Sequence, residues 1–188
     1  TVHASLSVNS LQELIDLAKR SPGKLSYASS GIGSVFHMNG ELFKLAAGVD
    51  IVHVPYKGTA AMATDLVAGR AEVGFPALNN VKPAIASGKV KVLAILEQRR
   101  YAGLPHLATL SELLPGFQPT PSWTGLFGPA GLSRPIVERL NNVFLKALDA
   151  PEVKKFIDDN GAIVAGGTPE DFAAALKADL ELAAKAVK

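Results

Sequence analysis

One pattern recurs in the first half of this sequence: a short apolar segment, a loop of small residues, and the start of a helix. The first copy runs from Lys24 to His37, with strand-forming residues up to Ala28 and loop glycines at Gly31 and Gly33. Strands that alternate with helices are typical of a parallel, layered α/β sheet, because the helices of the connections cover its faces. The pattern therefore predicts an α/β fold.

The same alternation continues beyond the first junction. A short buried strand at 51–54 runs into a second loop, Pro55-Tyr-Lys-Gly58, which precedes another helix. The remaining elements expected in this half are a strand at 71–75, a helix at 78–86 and a strand at 90–95. The second junction repeats the chemistry of the first, since a glycine again ends the loop before the helix.

Boundary signals define the helices on either side of the first strand. Ser10 and Glu13 form a capping box, and Pro22-Gly23 ends the helix that follows. Ser34 is the predicted N-cap of the next helix, which continues to Gly48. The residues at one-face helical spacing are Leu11, Leu14, Ile15 and Ala18 in the first helix, and Val35, Met38, Leu42, Leu45 and Ala46 in the second.

The loop around Gly31 and Gly33 is suited to an anion. Its glycines permit a close ligand approach, and the first amides of the helix after Ser34 point outward at the positive end of the helix dipole. No acidic residue lies between Lys24 and Gly40 to repel a carboxylate or phosphate. A plain turn and cap would use the same residue types, so the loop alone leaves both interpretations open.

Composition narrows the classes of function. The chain of 188 residues is 48% hydrophobic, enough for one domain, or for one domain and part of another. A net charge of +2 without a basic stripe argues against nucleic acid and anionic membranes as partners. The absence of cysteine excludes disulfides and thiol nucleophiles. The four histidines lack metal-ligand spacing, so neither a metal nor a cofactor is expected.

Four polar side chains near the loops could carry chemistry. Ser34 and His37 lie one helical turn apart, as a nucleophile and its base could, although nothing nearby in the sequence supplies an acid to orient the histidine. Tyr56 could donate its hydroxyl to a carboxylate while its ring covers apolar ligand atoms, or it could simply pack. Lys57 could clamp an anion or remain a solvated surface lysine.

The second half of the chain changes character. Proline, leucine and glycine dominate residues 103–121, which reads as a connector. The elements expected after it are a strand at 122–127, helices that begin at Pro135, Pro151 and Pro169, and a short strand between the last two helices after Asn160-Gly161. Thr168 and Asp171 mark the start of the last helix.

Three motifs occur together and in order. They are Tyr27-Ala-Ser-Ser-Gly-Ile-Gly-Ser34 with His37, then His53-Val-Pro-Tyr-Lys-Gly58, then Ser122-Trp-Thr-Gly-Leu-Phe-Gly-Pro-Ala-Gly131. The set resembles the Bug-type receptors, which are the substrate-binding proteins of tripartite tricarboxylate transporters. The resemblance continues through Pro135–Asn141 and Gly166–Glu170, and it covers essentially the whole chain.

The resemblance implies a type II periplasmic-binding-protein-like α/β fold, in which two lobes hold a ligand between them. This chain would supply one complete lobe, with a parallel-type sheet and flanking helices, and the C-terminal elements of the other lobe. The expected parts are a first inter-lobe crossover strand at 1–7, lobe two at 8–118, a return crossover strand at 119–128, and lobe-one elements at 129–188. The N-terminal part of the family chain, with its signal peptide, is missing.

The implied function is that of an extracytoplasmic solute receptor and not of an enzyme. Such a receptor binds a small dicarboxylate, tricarboxylate or aromatic acid in the periplasm and delivers it to the membrane permease of the transporter. Carried over from the family, the expected ligand-binding residues are Ser30, Gly31, Gly33, Ser34, His37, Tyr56, Lys57, Gly58 and Phe75. Pro76 and Ala77 stand where many relatives have an acidic or amide residue, which disfavours an amino-acid ligand.

The missing segment also affects assembly. Helices from Pro135 onward would expose an apolar face, and a homodimer is one way to cover it. Two other functions stay open: the ligand-sensing domain of a regulator, and a serine hydrolase or transferase that uses Ser34 and His37.

Overall fold

The computed structural model describes residues 1–97, 99–160 and 162–186. The chain divides into two compact units, Thr1–Pro121 and Ser122–Lys188. Within the described residues, the helices lack the combination of length and apolar character that crossing a membrane requires.

Strands and helices alternate through the first unit. Its elements are β1 (Val2–His3), α1 (Leu11–Arg20), β2 (Ser26–Ser29), α2 (Val35–Ala47), β3 (Val52–Pro55), α3 (Thr59–Val67), β4 (Val73–Gly74), α4 (Leu78–Ala86), β5 (Val90–Lys91) and α5 (Leu110–Leu113). The predicted caps are confirmed, since Ser10 accepts a hydrogen bond from the Glu13 amide and Ser34 accepts one from the His37 amide. The α/β class is confirmed as well.

The sheet is mixed. Its strand order is β3-β2-β4-β1-β5. β2 pairs in parallel with both β3 and β4, as the alternation predicted, whereas β1 is antiparallel to β4 and β5. The expectation of a parallel-type sheet therefore holds for the β3-β2-β4 part, and β1 departs from it.

Neighbouring residues of β2 face opposite sides of the sheet. Tyr27 belongs to the main core with Phe43 of α2, while Ala28 packs in a separate cluster with Met62 of α3. Helices α2 and α3 therefore cover opposite faces. The chain moves one way from β2 to β3 and then returns across β2 to reach β4. In open α/β sheets, ligands bind at the carboxyl ends of strands where the direction of winding reverses in this way.

Two predicted burial patterns were wrong. The strand at 51–54 is not buried throughout: β3 is an edge strand, and Val52 is 48% exposed. On α2, Leu45 is 67% exposed, and the buried positions are Met38, Asn39, Gly40, Phe43 and Ala47. Packing of α2 against the Tyr27 ring turns the helix so that the Gly40 side faces the sheet, which hydrophobic spacing alone did not indicate.

The connector contributes to the core of the first unit. Residues 90–95 form a regular strand only at Val90–Lys91, and Ile95 makes an isolated parallel bridge with Thr109. The short helix α5 then buries Leu110, and Phe117 is also buried in the main core. Proline and glycine limit this segment to one short helix, but its apolar side chains still pack in the core.

The second unit contains α6 (Arg134–Leu148), α7 (Pro151–Asp159) and α8 (Pro169–Ala186). Thr168 and Asp171 form the predicted cap, because the Asp171 amide donates to Thr168 Oγ1 and the Thr168 amide donates to Asp171 Oδ2. The strands predicted at 122–127 and after Asn160-Gly161 are not formed in the described residues, and Gly161 itself lies outside them. A strand needs a paired neighbour, which the described part of this unit does not offer.

Candidate functional site

Two loops meet at the carboxyl ends of β2 and β3. The glycine loop comprises residues 30–34, and the lysine loop comprises residues 56–58. The Tyr56 amide donates to the Ser29 carbonyl at 2.9 Å, and the Gly58 amide donates to the Ser30 carbonyl at 3.2 Å. Because β2 and β3 are parallel neighbours, both loops lie at one edge of the sheet.

The conformation of the glycine loop depends on its glycines. Gly31 and Gly33 have φ of 132° and 78°, values that favour glycine over residues with a Cβ. A Cβ on Gly31 would also lie 3.4 Å from the Tyr56 carbonyl oxygen. Ser29 fixes the turn from the strand side, since its Oγ donates to the Gly31 carbonyl and accepts from the Gly31 amide, each at 3.2 Å.

Each loop leads into a helix whose first amides are available as donors. At α2, the amides of Val35 and Phe36 have no hydrogen-bond partner among the described residues. At α3, Gly58 has no side chain to cap the helix, and the amides of residues 59–61 are likewise unpaired within the described part of the chain. Two helix N-termini with unpaired donors thus lie next to each other, a combination that favours a negatively charged group.

Charge at this edge is also favourable. Lys57 is exposed, and its ammonium group makes no hydrogen bond or ion pair with the described residues. The glycine loop carries no acidic residue. A carboxylate or phosphate that approached the edge would meet donors and a positive charge without a competing internal acid.

Two predicted site residues use their side chains elsewhere. The Tyr56 ring packs against the cluster of Ala28 and Met62, and burial, together with the nearby Asp65 carboxylate, raises the pKa of its hydroxyl. Its backbone is the part that contacts the glycine loop. Phe75 is only 8% exposed, and its ring packs in the core against Tyr27.

A stack of three rings lies beneath the glycine loop. The Tyr27 and His53 ring centroids are 4.9 Å apart, and the His53 and His37 centroids are 4.1 Å apart, with near-parallel planes in both pairs. His53 Nε2 is 2.6 Å from Ser29 Oγ, so the stack also contacts the serine that fixes the turn. No partner for His53 was predicted from the sequence, because the strand register that places it opposite Tyr27 is not a local feature of the sequence.

An acidic group next to the stack is held by hydrogen bonds. The Tyr27 hydroxyl donates to Glu41 Oε1 at 2.7 Å, and Lys44 Nζ donates to the same oxygen at 3.1 Å. Burial alone would raise the pKa of Glu41, but these hydrogen bonds and the positive charges nearby lower it overall. The pKa of Tyr27 is raised, mainly by burial and then by its hydrogen bond to the negatively charged Glu41. The pKa of His53 is lowered, mainly by burial and then by the charge of His37.

The side chains of Ser34 and His37 each accept a hydrogen bond from a backbone amide and are not bonded to each other. Ser34 Oγ accepts from the His37 amide at 3.2 Å, and His37 Nδ1 accepts from the Gly33 amide at 3.0 Å. The arrangement suits a cap and an anion site better than a nucleophile and base. Nor do the described residues group three metal-ligating side chains of the His, Cys, Asp and Glu types.

Comparison with known proteins gives a consistent picture. A protein-family model described as "Tripartite tricarboxylate transporter family receptor" matches residues 1–182. A UPF0065 protein encoded in the tcbD-tcbE intergenic region of Pseudomonas sp. (strain P51) is 36% identical over 182 residues, which are 96% of this chain and 54% of that protein.

Solved structures match the fold closely. R. palustris Rpa4515 with adipate superposes with a TM-score of 0.87 at 35% identity, over 98% of this chain and 63% of that one. The periplasmic binding protein BugD gives 0.84 at 30% identity, over 98% and 62%. MatC (Rpa3494) from Rhodopseudomonas palustris with bound malate gives 0.79 at 30% identity, over 98% and 63%. The chain spans about half the length of its curated relative and under two thirds of these structures.

Proposed function

Because the chain belongs to the receptor family of the tripartite tricarboxylate transporters, we propose that it binds a small carboxylic acid and delivers it to the permease of such a transporter. The ligand is a dicarboxylate, a tricarboxylate or an aromatic acid, and the compartment is the periplasm. Structures of relatives with adipate and with malate support a carboxylate ligand. Binding proceeds without chemistry on the ligand.

The observation that carries the proposal is the pair of adjacent helix N-termini. A carboxylate oxygen at the glycine loop accepts from the amides of Val35 and Phe36, and the first amides of α3 offer donors from the lysine loop. Hydrogen bonds to a charged group are each worth about 1.5–3 kcal/mol, more than a neutral pair. Lys57 adds a positive charge that attracts the anion before contact.

The expected lobes fit this mode of binding. We propose that residues 8–118 act as lobe two, that residues 1–7 and 119–128 are the crossovers, and that residues 129–188 belong to lobe one. A second lobe that closes over the ligand would supply further contacts and present a changed surface to the permease. Pairing of two copies through the apolar helices of residues 129–188 stays a prediction.

Proline at the first position of α3 tests the amide donors directly. Thr59→Pro removes one unpaired N–H, and proline is tolerated at the first turn of a helix. Thr59→Ala removes the same side chain and keeps the N–H, so it is the matched control. We expect adipate or malate to bind Thr59→Ala as the unaltered protein does, and to bind Thr59→Pro between about tenfold and a hundredfold more weakly, as the loss of one charge-assisted hydrogen bond predicts.

Calorimetric titration of the protein at its natural length measures these affinities. A panel of adipate, malate, citrate, benzoate and glutamate identifies the acid, and thermal unfolding verifies that each variant is folded. Saturable binding of one acid, weakened only in Thr59→Pro, supports the proposal. If both variants bind the acid equally, the amides of α3 do not contact the ligand. If the refolded, ligand-free protein binds none of the acids, the proposal that it is a carboxylate receptor is wrong.

A further inference from the structure

The bond between Gly33 and His37 fixes the state of the histidine. The Gly33 amide donates to His37 Nδ1 at 3.0 Å. A backbone N–H can only donate, so Nδ1 must carry a lone pair, and the ring is neutral with its proton on Nε2. In this state, an amide of the glycine loop is already occupied by a side chain.

We propose that His37 is a positioning residue whose protonation opens the glycine loop to an anion. Neutral His37 holds the Gly33 amide, whereas protonated His37 cannot accept that hydrogen bond and releases it. The released amide and the new Nδ1–H then face the loop as two additional donors. Ligand binding and proton uptake by His37 therefore favour each other, a consequence that rests on the carboxylate site proposed above.

Titratable and charged groups of β2, β3 and α2 surround His37. His53 of β3 stacks on its ring with centroids 4.1 Å apart, the Tyr27 hydroxyl of β2 lies 3.4 Å from its carbonyl oxygen, and Glu41 and Lys44 follow on α2. Two stacked imidazoles repel each other when both are charged. Burial, and then the charge of His37, lower the pKa of His53 and so disfavour a proton on that ring.

The direction of the pH effect follows because proton binding and anion binding are thermodynamically linked. If the protonated receptor binds the anion more tightly, affinity rises as the pH falls through the titration of His37, by at most about tenfold per pH unit for one proton. Above about pH 5.5 most ligand carboxyl groups remain ionised. A change in affinity between pH 8 and pH 6 would therefore come from the protein.

Nuclear magnetic resonance tests the hydrogen bond between Gly33 and His37 in the protein without a ligand. The ring nitrogens of His37 are expected to report a proton on Nε2 at pH 8, and the Gly33 amide signal is expected to shift with the same midpoint as the His37 ring. His37→Asn places a carbonyl oxygen near the Nδ1 position and cannot be protonated, so its Gly33 amide should not titrate. A neutral ring with its proton on Nδ1, or a Gly33 amide that ignores the titration of His37, overturns the proposal.

Titration with adipate and malate between pH 6 and pH 8 tests the coupling. Affinity is expected to rise about fivefold or more toward pH 6 in the unaltered protein and in His53→Gln, which removes the other stacked imidazole. In His37→Asn, the affinity should not change between pH 8 and pH 6. Equal pH dependence in His37→Asn overturns the coupling. If neither acid binds at any pH, the carboxylate function fails, and the resonance measurements still decide whether His37 holds and releases Gly33.

Discussion

Tyr27 shows how much of this fold depends on single side chains. Its ring is fully buried between the sheet and α2, and its hydroxyl donates to Glu41 Oε1 at 2.7 Å. The ring also continues the stack toward His53 and His37. Tyr27, which the sequence analysis placed in a predicted strand and in the first motif, thus connects the core with the glycine loop.

Tyr27→Phe is expected to lower the free energy of unfolding by about 1–2 kcal/mol at pH 7, because the ionised Glu41 loses a hydrogen bond and keeps only Lys44. The pKa of Glu41 is lowered in the folded state, so its stabilising contribution is present above its unfolded pKa and is lost as the pH falls through the folded pKa. The cost of the substitution should therefore shrink in acid.

Chemical denaturation at pH 7 and below pH 4 measures both effects. Tyr101→Phe is the control, since the Tyr101 hydroxyl has no hydrogen-bond partner among the described residues. An equal cost for the two substitutions, or a cost of Tyr27→Phe that does not change with pH, would contradict the assigned role.

At the level of the element, α2 links the site to the core. Its first turn presents the unpaired amides of Val35 and Phe36 next to the glycine loop. Further along the helix, the buried Asn39 exchanges two hydrogen bonds with the backbone of Thr120. Its middle packs on Tyr27 through Gly40, where an added Cβ would overlap the ring. The position of the anion donors is thus set by how closely α2 approaches β2.

Gly40→Ala separates helix propensity from packing. Alanine favours a helix over glycine by about 1 kcal/mol, yet overpacking a core costs about 1–3 kcal/mol. We expect net destabilisation, because the Tyr27 ring is itself enclosed and cannot move away freely. Urea unfolding of Gly40→Ala, Tyr27→Ala and the double variant measures the coupling. The packing argument is wrong if Gly40→Ala is more stable than the unaltered protein, or if the two single substitutions change the free energy of unfolding additively in the double variant.

At the level of the whole molecule, the two units differ in burial. The first contains a continuous core built from α1, α2 and the sheet. In the second, none of the described side chains from 122 to 184 is buried, and large apolar residues are exposed on α6 and α7, namely Ile136, Leu140, Val143, Phe144 and Phe156. Regions with little buried apolar surface open at a lower free energy than a core.

Hydrogen exchange of this 188-residue chain is therefore expected to be slow in β2, α1 and α2, and at least about a hundredfold faster in α6 and α7. Protection of α6 and α7 that rises with protein concentration would support pairing of two copies through these helices. Equal protection in both units at the lowest concentration would contradict the difference in burial.

Local chemistry made most elements predictable. Caps at Ser10, Ser34 and Thr168 are recognisable because their hydrogen bonds join residues three apart in the chain. The motifs were sufficient to identify the family, and the family model and the BugD structure confirm that recognition. The glycine loop was also predictable, since its glycines and its cap are local features.

What the sequence by itself determined about this protein is its class of fold, its helix boundaries and its family, all of which depend on spacing along the chain. Only the tertiary structure decided that β1 is antiparallel, that β3 is an edge strand, that Tyr56 turns toward α3, and that Tyr27, His53 and His37 stack. The physical reason is that strand order, register and helix rotation depend on contacts between distant residues, which local patterns do not encode.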